Sequence, residues 1–182
     1  MAQGNEFATG ANVVDGEDAK GWWSATYTSE QYPLGTTRIE SEVRAESGVA
    51  ITVTDATWNK LTGDREWVFV KAAEEVTAGH LCEWDFTSAY CVEPADTDGM
   101  NASLVAGVAD NTIAASSYGW IVKRGTCVVK AGGSVVAGSP LAADGTDGQV
   151  DEGGVKGDTV GVALEADGAV ASGHAQAYIS IP

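Results

Sequence analysis

The chain has 182 residues, a mass of 18.7 kDa and a net charge of −16, enough length for one domain or two small ones with a real core. Twenty-three glycines, together with 43 Val, Ile and Thr against eight Leu and Met, speak against long helices. The excess of acid repels nucleic acid and anionic membranes, and 44% hydrophobic content with six Trp argues against global disorder.

Met1 to Glu6 carries no basic segment ahead of an apolar run, and no stretch approaches the ~18 apolar residues of a membrane span. The expectation is a soluble protein without an N-terminal export signal. Residues 1–20 mix Gly, Asn, Asp and Ala without periodicity and read as a flexible arm, which we extend to residue 32. From Gly21, Trp23, Ala25 and Tyr27 alternate with Ser24, Thr26 and Thr28, up to a turn at Tyr32-Pro33-Leu34-Gly35. Arg38 to Glu46 then alternates charge with Ile39, Val43 and Ala45, a pattern open to an exposed strand or a short helix.

Val49–Thr54 and Glu66–Lys71 are predicted strands, with Leu61-Thr62-Gly63-Asp64 turning into the second. Four Asp-Gly pairs, at 98, 144, 147 and 167, then punctuate the chain at intervals suited to short strands. Val76-Thr77-Ala78-Gly79-His80-Leu81 recurs, with one inserted residue, as Val135-Val136-Ala137-Gly138-Ser139-Pro140-Leu141, and Gly107-Val108-Ala109 as Gly161-Val162-Ala163, while Val170-Ala171-Ser172-Gly173-His174 is a competing match to Val76–His80. Two related units, about 76–122 and 135–179, are each too small to bury a face alone and are expected to pack together. The predicted class is therefore all-β: a sandwich or barrel built from two pseudo-repeated units within a 33–182 domain, preceded by the extended arm 1–32.

Chemistry-bearing motifs are missing from the sequence. There is no G-x-S-x-G, H-E-x-x-H or G-x-G-x-x-G, and Gly154 to Thr159 only approaches a phosphate loop. His80 and His174 each follow a glycine in a predicted turn and read as solvated loop residues. Cys82, Cys91 and Cys127 lack metal spacing and are expected as thiols. A hairpin turning at Phe86-Thr87 would nevertheless set Cys82 opposite Cys91, within reach of a disulfide. The acidic loops around Glu93, Asp96 and Asp98, and around Asp144, Asp147, Asp151 and Glu152, do not complete a calcium-loop pattern and read as a solubilising rim. Lys123-Arg124, with Lys130, is the only basic concentration and a candidate docking face for an acidic partner. No catalytic residue, metal site or cofactor is expected.

The turn Pro33-Leu34-Gly35-Thr36, the strand Asp64-Arg65-Glu66-Trp67-Val68-Phe69-Val70-Lys71-Ala72, the segment Val76 to Leu81 and the two Gly-Val-Ala stretches together form a pattern. Over residues 33–182 it resembles the β-rich decoration, or cement, proteins of tailed-bacteriophage capsids. The resemblance implies a non-enzymatic virion protein, made in the host cytoplasm, that coats the outside of an icosahedral head. Its partner would be the major capsid protein, whose neighbouring subunits it would bridge, and it would act as a homo-oligomer, with a trimer favoured. Neither nucleic acid nor membrane is an expected partner. Candidate capsid-binding residues are Trp22, Trp23, Tyr27 and Tyr32 of the arm, then Lys123 and Arg124. The alternatives are a carbohydrate-binding or adhesin-like β module working through exposed Trp, and a hydrolase with a carboxylate pair.

Overall fold

The computed structural model describes residues 25–40, 64–97, 100–154, 157–168 and 173–182; the expected strand at Val49–Thr54 and residues 1–24 lie outside them. Among the described residues the architecture is β, with no α-helix and a single 3-10 turn at Ala102–Leu104. These described residues form ten strands: β1 Thr37–Glu40, β2 Arg65–Ala72, β3 Leu81–Asp85, β4 Cys91–Pro94, β5 Val105–Ala109, β6 Tyr118–Lys130, β7 Pro140–Ala143, β8 Val150–Glu152, β9 Gly161–Ala163 and β10 His174–Ser180.

They form one mixed sheet in the order β1-β2-β4-β3-β5-β6-β10-β9-β7-β8, and a further pairing of β2 with β6 closes β2, β4, β3, β5 and β6 into a ring. All contacts in that ring are antiparallel except β2 with β4. Closure removes sheet edges that would otherwise offer unpaired backbone to other chains. The second half of β6 continues into β10, β9, β7 and β8, and a parallel bridge from Ala131 to Val150 returns to the residue that follows β6. Two rings thus share one thirteen-residue strand.

The same pairing scheme occurs on both sides of that strand. β3 pairs with β4 and β5, and β5 with β6; likewise β7 pairs with β8 and β9, and β9 with β10. The backbone bonds that enter each half correspond too. Gly79 N–H donates to Ala109 O at 2.7 Å and Gly138 N–H to Ala163 O at 2.8 Å. Ala109 N–H donates to His80 O, and Ala163 N–H to Ser139 O, both at 2.9 Å.

β6 changes rings at Lys123–Gly125. Its pairing with β2 skips Lys123, a bulge that turns the strand, and Gly125 follows at φ +118°. A Cβ at Gly125 would lie 2.6 Å from the carbonyl oxygen of Asp64, so only glycine lets the two backbones approach this closely.

β2 is buried on both faces because it stands between two cores. Val68, Val70 and Ala72 join Cys82, Val92, Ala106, Ala109 and Ile121 in one cluster, which draws on all five strands of the first ring. Val76 and Ile113 complete it, exchanging backbone hydrogen bonds of 3.0 and 2.8 Å. Trp67 and Phe69, on the opposite face, join Trp120, Val122 and the second ring's Cys127, Val129, Leu141, Ala163, Ala177 and Ile179. Burial of large side chains such as Trp67, Phe69 and Trp120 contributes on the order of 2–3 kcal/mol each, which joins the halves into one body.

Two local expectations are corrected. β1 is a strand, but Arg38 is the buried residue (7% exposed) and Ile39 the exposed one (60%). The guanidinium lies 4.5 Å from the Tyr32 ring centroid and 4.9 Å from that of Trp120, so cation–π attraction and stem packing offset its desolvation. The β3–β4 connection occupies residues 86–90 rather than turning at Phe86-Thr87. Cys82 therefore faces Pro94 while Cys91 faces Asp85, and both are free thiols.

Candidate interaction surface

Trp22 and Trp23 lie outside the described residues. Tyr27 and Tyr32 are half-buried against the chain's own core. Tyr27 exchanges two backbone hydrogen bonds of 2.8 Å with Tyr118. The ring of Tyr32 stands edge-on to Phe69 at 5.2 Å and tilted to Trp120 at 5.4 Å. These aromatics fasten the N-terminal segment to the outer face of β2 and β6. Lys123 and Arg124 lie at the bulge where β6 passes between rings, far along the chain from Tyr27 and Tyr32 but on the same long strand as their neighbours Tyr118 and Trp120. Arg124 is exposed and donates from Nε to the Tyr178 hydroxyl at 3.4 Å.

The sequence reading missed an aromatic hollow at the β3–β4 hairpin. It measures about 360 Å³ and is lined by Trp84, Asp85, Phe86, Ser88, Ala89 and Tyr90. Phe86 is 79% exposed and Tyr90 is exposed as well. Tyr90 adopts φ +54°, a left-handed conformation unusual for an aromatic residue. Its carbonyl accepts from Lys71 N–H at 3.1 Å, and its ring meets Trp84 edge-on, with centroids 5.8 Å apart and planes at 79°. Asp85 accepts hydrogen bonds from the backbone N–H of Thr87 (2.8 Å) and from its hydroxyl (2.6 Å), which hold its carboxyl below the usual range and charged. The sequence signal was available: two aromatics inside a turn, where neither can complete a strand face.

The ribbon beneath the hollow is acidic. Glu83 stands opposite Glu93 in the β3–β4 register. Desolvation, reinforced by Asp96 and Glu93, pushes the Glu83 carboxyl up to about 7. Glu93 is raised as well, first by desolvation and then by Asp85, Glu74 and Asp96. Among the described residues, no group of three or more His, Cys, Asp or Glu side chains is arranged to hold a metal ion.

His80 is not a solvated loop residue; it is 8% exposed at the junction of the two rings. The reason is the β7–β8 turn, whose Gly148 donates its N–H to Ala95 O at 2.9 Å and accepts at its carbonyl from Leu81 N–H at 2.8 Å. A Cβ on Gly148, which sits at φ +68°, would lie 2.4 Å from His80 Cγ, so the imidazole is pressed against bare backbone. Nε2 contacts Thr77 Oγ1 at 2.5 Å and Lys130 Nζ at 3.3 Å. Burial, and then the Lys130 charge, lower the His80 pKa to about 4, so the ring is neutral at pH 7. A neutral imidazole wedged between two rings acts as a packing element and not as an accessible base.

No protein-family model and no curated protein matches the sequence. The chain is similar to the N base of the head fiber gp8.5 of bacteriophage phi29, with 17% identity and a TM-score of 0.49 over 63% of this chain and 92% of that one.

Proposed function

We propose that this chain is a non-enzymatic decoration protein of a tailed-phage head, built from two related β units and bridging neighbouring major capsid subunits on the outer surface. The observation that carries the reading is where the stretches of sequence resemblance fall. Asp64–Ala72 supplies β2, the strand buried on both faces; Val76–Leu81 leads into β3; the Gly-Val-Ala segments are in β5 and β9; and Pro33–Thr36 forms the turn beside Tyr90. Each is a framework element, so the likeness concerns how the body is built. A net charge of −16 suits a protein that must stay soluble before assembly and has no affinity for packaged nucleic acid. Several modest contacts per protomer, multiplied around a symmetry axis, would give firm attachment without one tight site.

The test is mass spectrometry of intact virions from the phage that carries this gene, with the copy number measured against the shell protein. A fixed stoichiometric ratio, together with earlier DNA loss on heating from heads that lack the chain, is the expected result. Absence from virions overturns the reading. The second reading, a carbohydrate-binding module, draws on the open aromatic hollow and predicts hits on a glycan array that substitution of Phe86 abolishes.

A further inference from the structure

We infer that the hollow at the β3–β4 hairpin receives a cationic side chain, an arginine or lysine, presented by a protein partner. Trp84 and Tyr90 meet at 79°, and Phe86 lies between them in sequence and is largely exposed. The exposed Phe86 ring offers a π face to a compact cation, whereas Trp84 and Tyr90, in edge-to-face contact, leave no broad flat platform of the kind on which a sugar ring stacks. Asp85, held charged by its bonds from Thr87, stands in the lining, and Glu93 and Asp96 lie close by along the chain that leaves the hairpin, so the local field attracts a positive guest. Lys71, a cation close to Cys91, has its ammonium 6.0 Å from the centroid of the Tyr118 ring. Tyr90 holds its ring at the hollow in an unfavourable left-handed backbone conformation, which fits a pocket formed before the guest arrives.

The inference goes beyond the capsid reading and stands or falls without it, since the probes are peptides and not heads. The full chain, labelled on Phe and Tyr rings, is titrated with acetyl-Gly-Arg-Gly-amide and with the peptide in which citrulline, neutral and similar in shape, replaces arginine. NMR should show saturable shifts of the Phe86 and Tyr90 rings with the arginine peptide. The citrulline peptide and the Phe86→Ala chain should each bind roughly three- to tenfold more weakly. Phe86 is exposed enough for the variant to keep its fold, and unchanged amide spectra elsewhere verify this. Equal binding of both peptides, no saturable shift, or ring shifts produced by a neutral oligosaccharide alone would each overturn the inference. Tighter binding of a free polyamine than of the arginine peptide would overturn the assignment to a protein side chain.

Discussion

The ring of Tyr90 lies directly over the α-carbon of Gly35: a Cβ there would sit 2.3 Å from Cζ and 2.6 Å from both Cε atoms. The Pro33–Thr36 turn is thereby clamped to the β3–β4 hairpin, with Gly35 at φ +80°. Gly35→Ala is expected to cost about 1–3 kcal/mol, part from the left-handed backbone and part from displacing the ring. Denaturant melts of Gly35→Ala, Tyr90→Ala and the double variant separate the two. The double variant should be more stable than the sum of the singles implies, by the share that belongs to the steric contact.

Gly125→Ala should be more damaging, at about 3 kcal/mol or more. Here the obstructing atom is the Asp64 carbonyl oxygen at 2.6 Å, and backbone cannot rotate aside as a tyrosine ring can. The measurement is the urea midpoint. Thermal or chemical melts of Gly125→Ala within about 0.5 kcal/mol of the parent chain would contradict the close-approach account.

Acid stability is expected to depend on His80. Its folded-state pKa, near 4, is below the unfolded value of 6.5, so between those pH values the unfolded chain binds the proton and the folded chain does not. Stability is complete above pH 6.5 and falls as pH drops toward 4. Allowing for partial solvent screening, about 1–2 kcal/mol should be lost between pH 6.5 and 4.5. In His80→Gln this slope should flatten, read from urea midpoints at half-unit pH steps. The groups facing His80 are Lys130, Asp147 and His174, so the same series on Asp147→Asn tests the electrostatic part.

Glu83 works with the opposite sign. Its folded pKa, about 7, is above the unfolded 4.5, so the charged form is disfavoured in the native ribbon and stability declines as pH rises through 5 to 8. Glu83→Gln should stabilise the protein at pH 8 by roughly 0.5–1 kcal/mol, a figure kept low because the side chain is only partly buried. At pH 4.5 it should be neutral. A variant equally stabilising at both pH values would indicate packing instead of charge.

The framework was legible where one physical signal dominates. Glu66 to Lys71 reads as a strand because β-branched and aromatic residues are concentrated there, and the all-β class follows from abundant Gly, Val, Ile and Thr against few Leu and Met. Ring closure was not legible, since the parallel pairing of β2 with β4 and the second use of β6 join segments far apart in sequence. Sequence likewise gave no means of knowing that the turn holding Gly148 would cover His80. Tyr27 and Tyr32 illustrate a different limit: an aromatic in a loop has the same composition whether it reaches outward or folds back, and here both fold onto Phe69 and its neighbours.

β6 belongs to both rings, so its thirteen residues form a single covalent tie running through the body. Tension applied at one end is transmitted along backbone bonds and not across a seam of side chains. Neither half can unravel without stripping partners from the other, and a mechanical pull should rupture the molecule in one event.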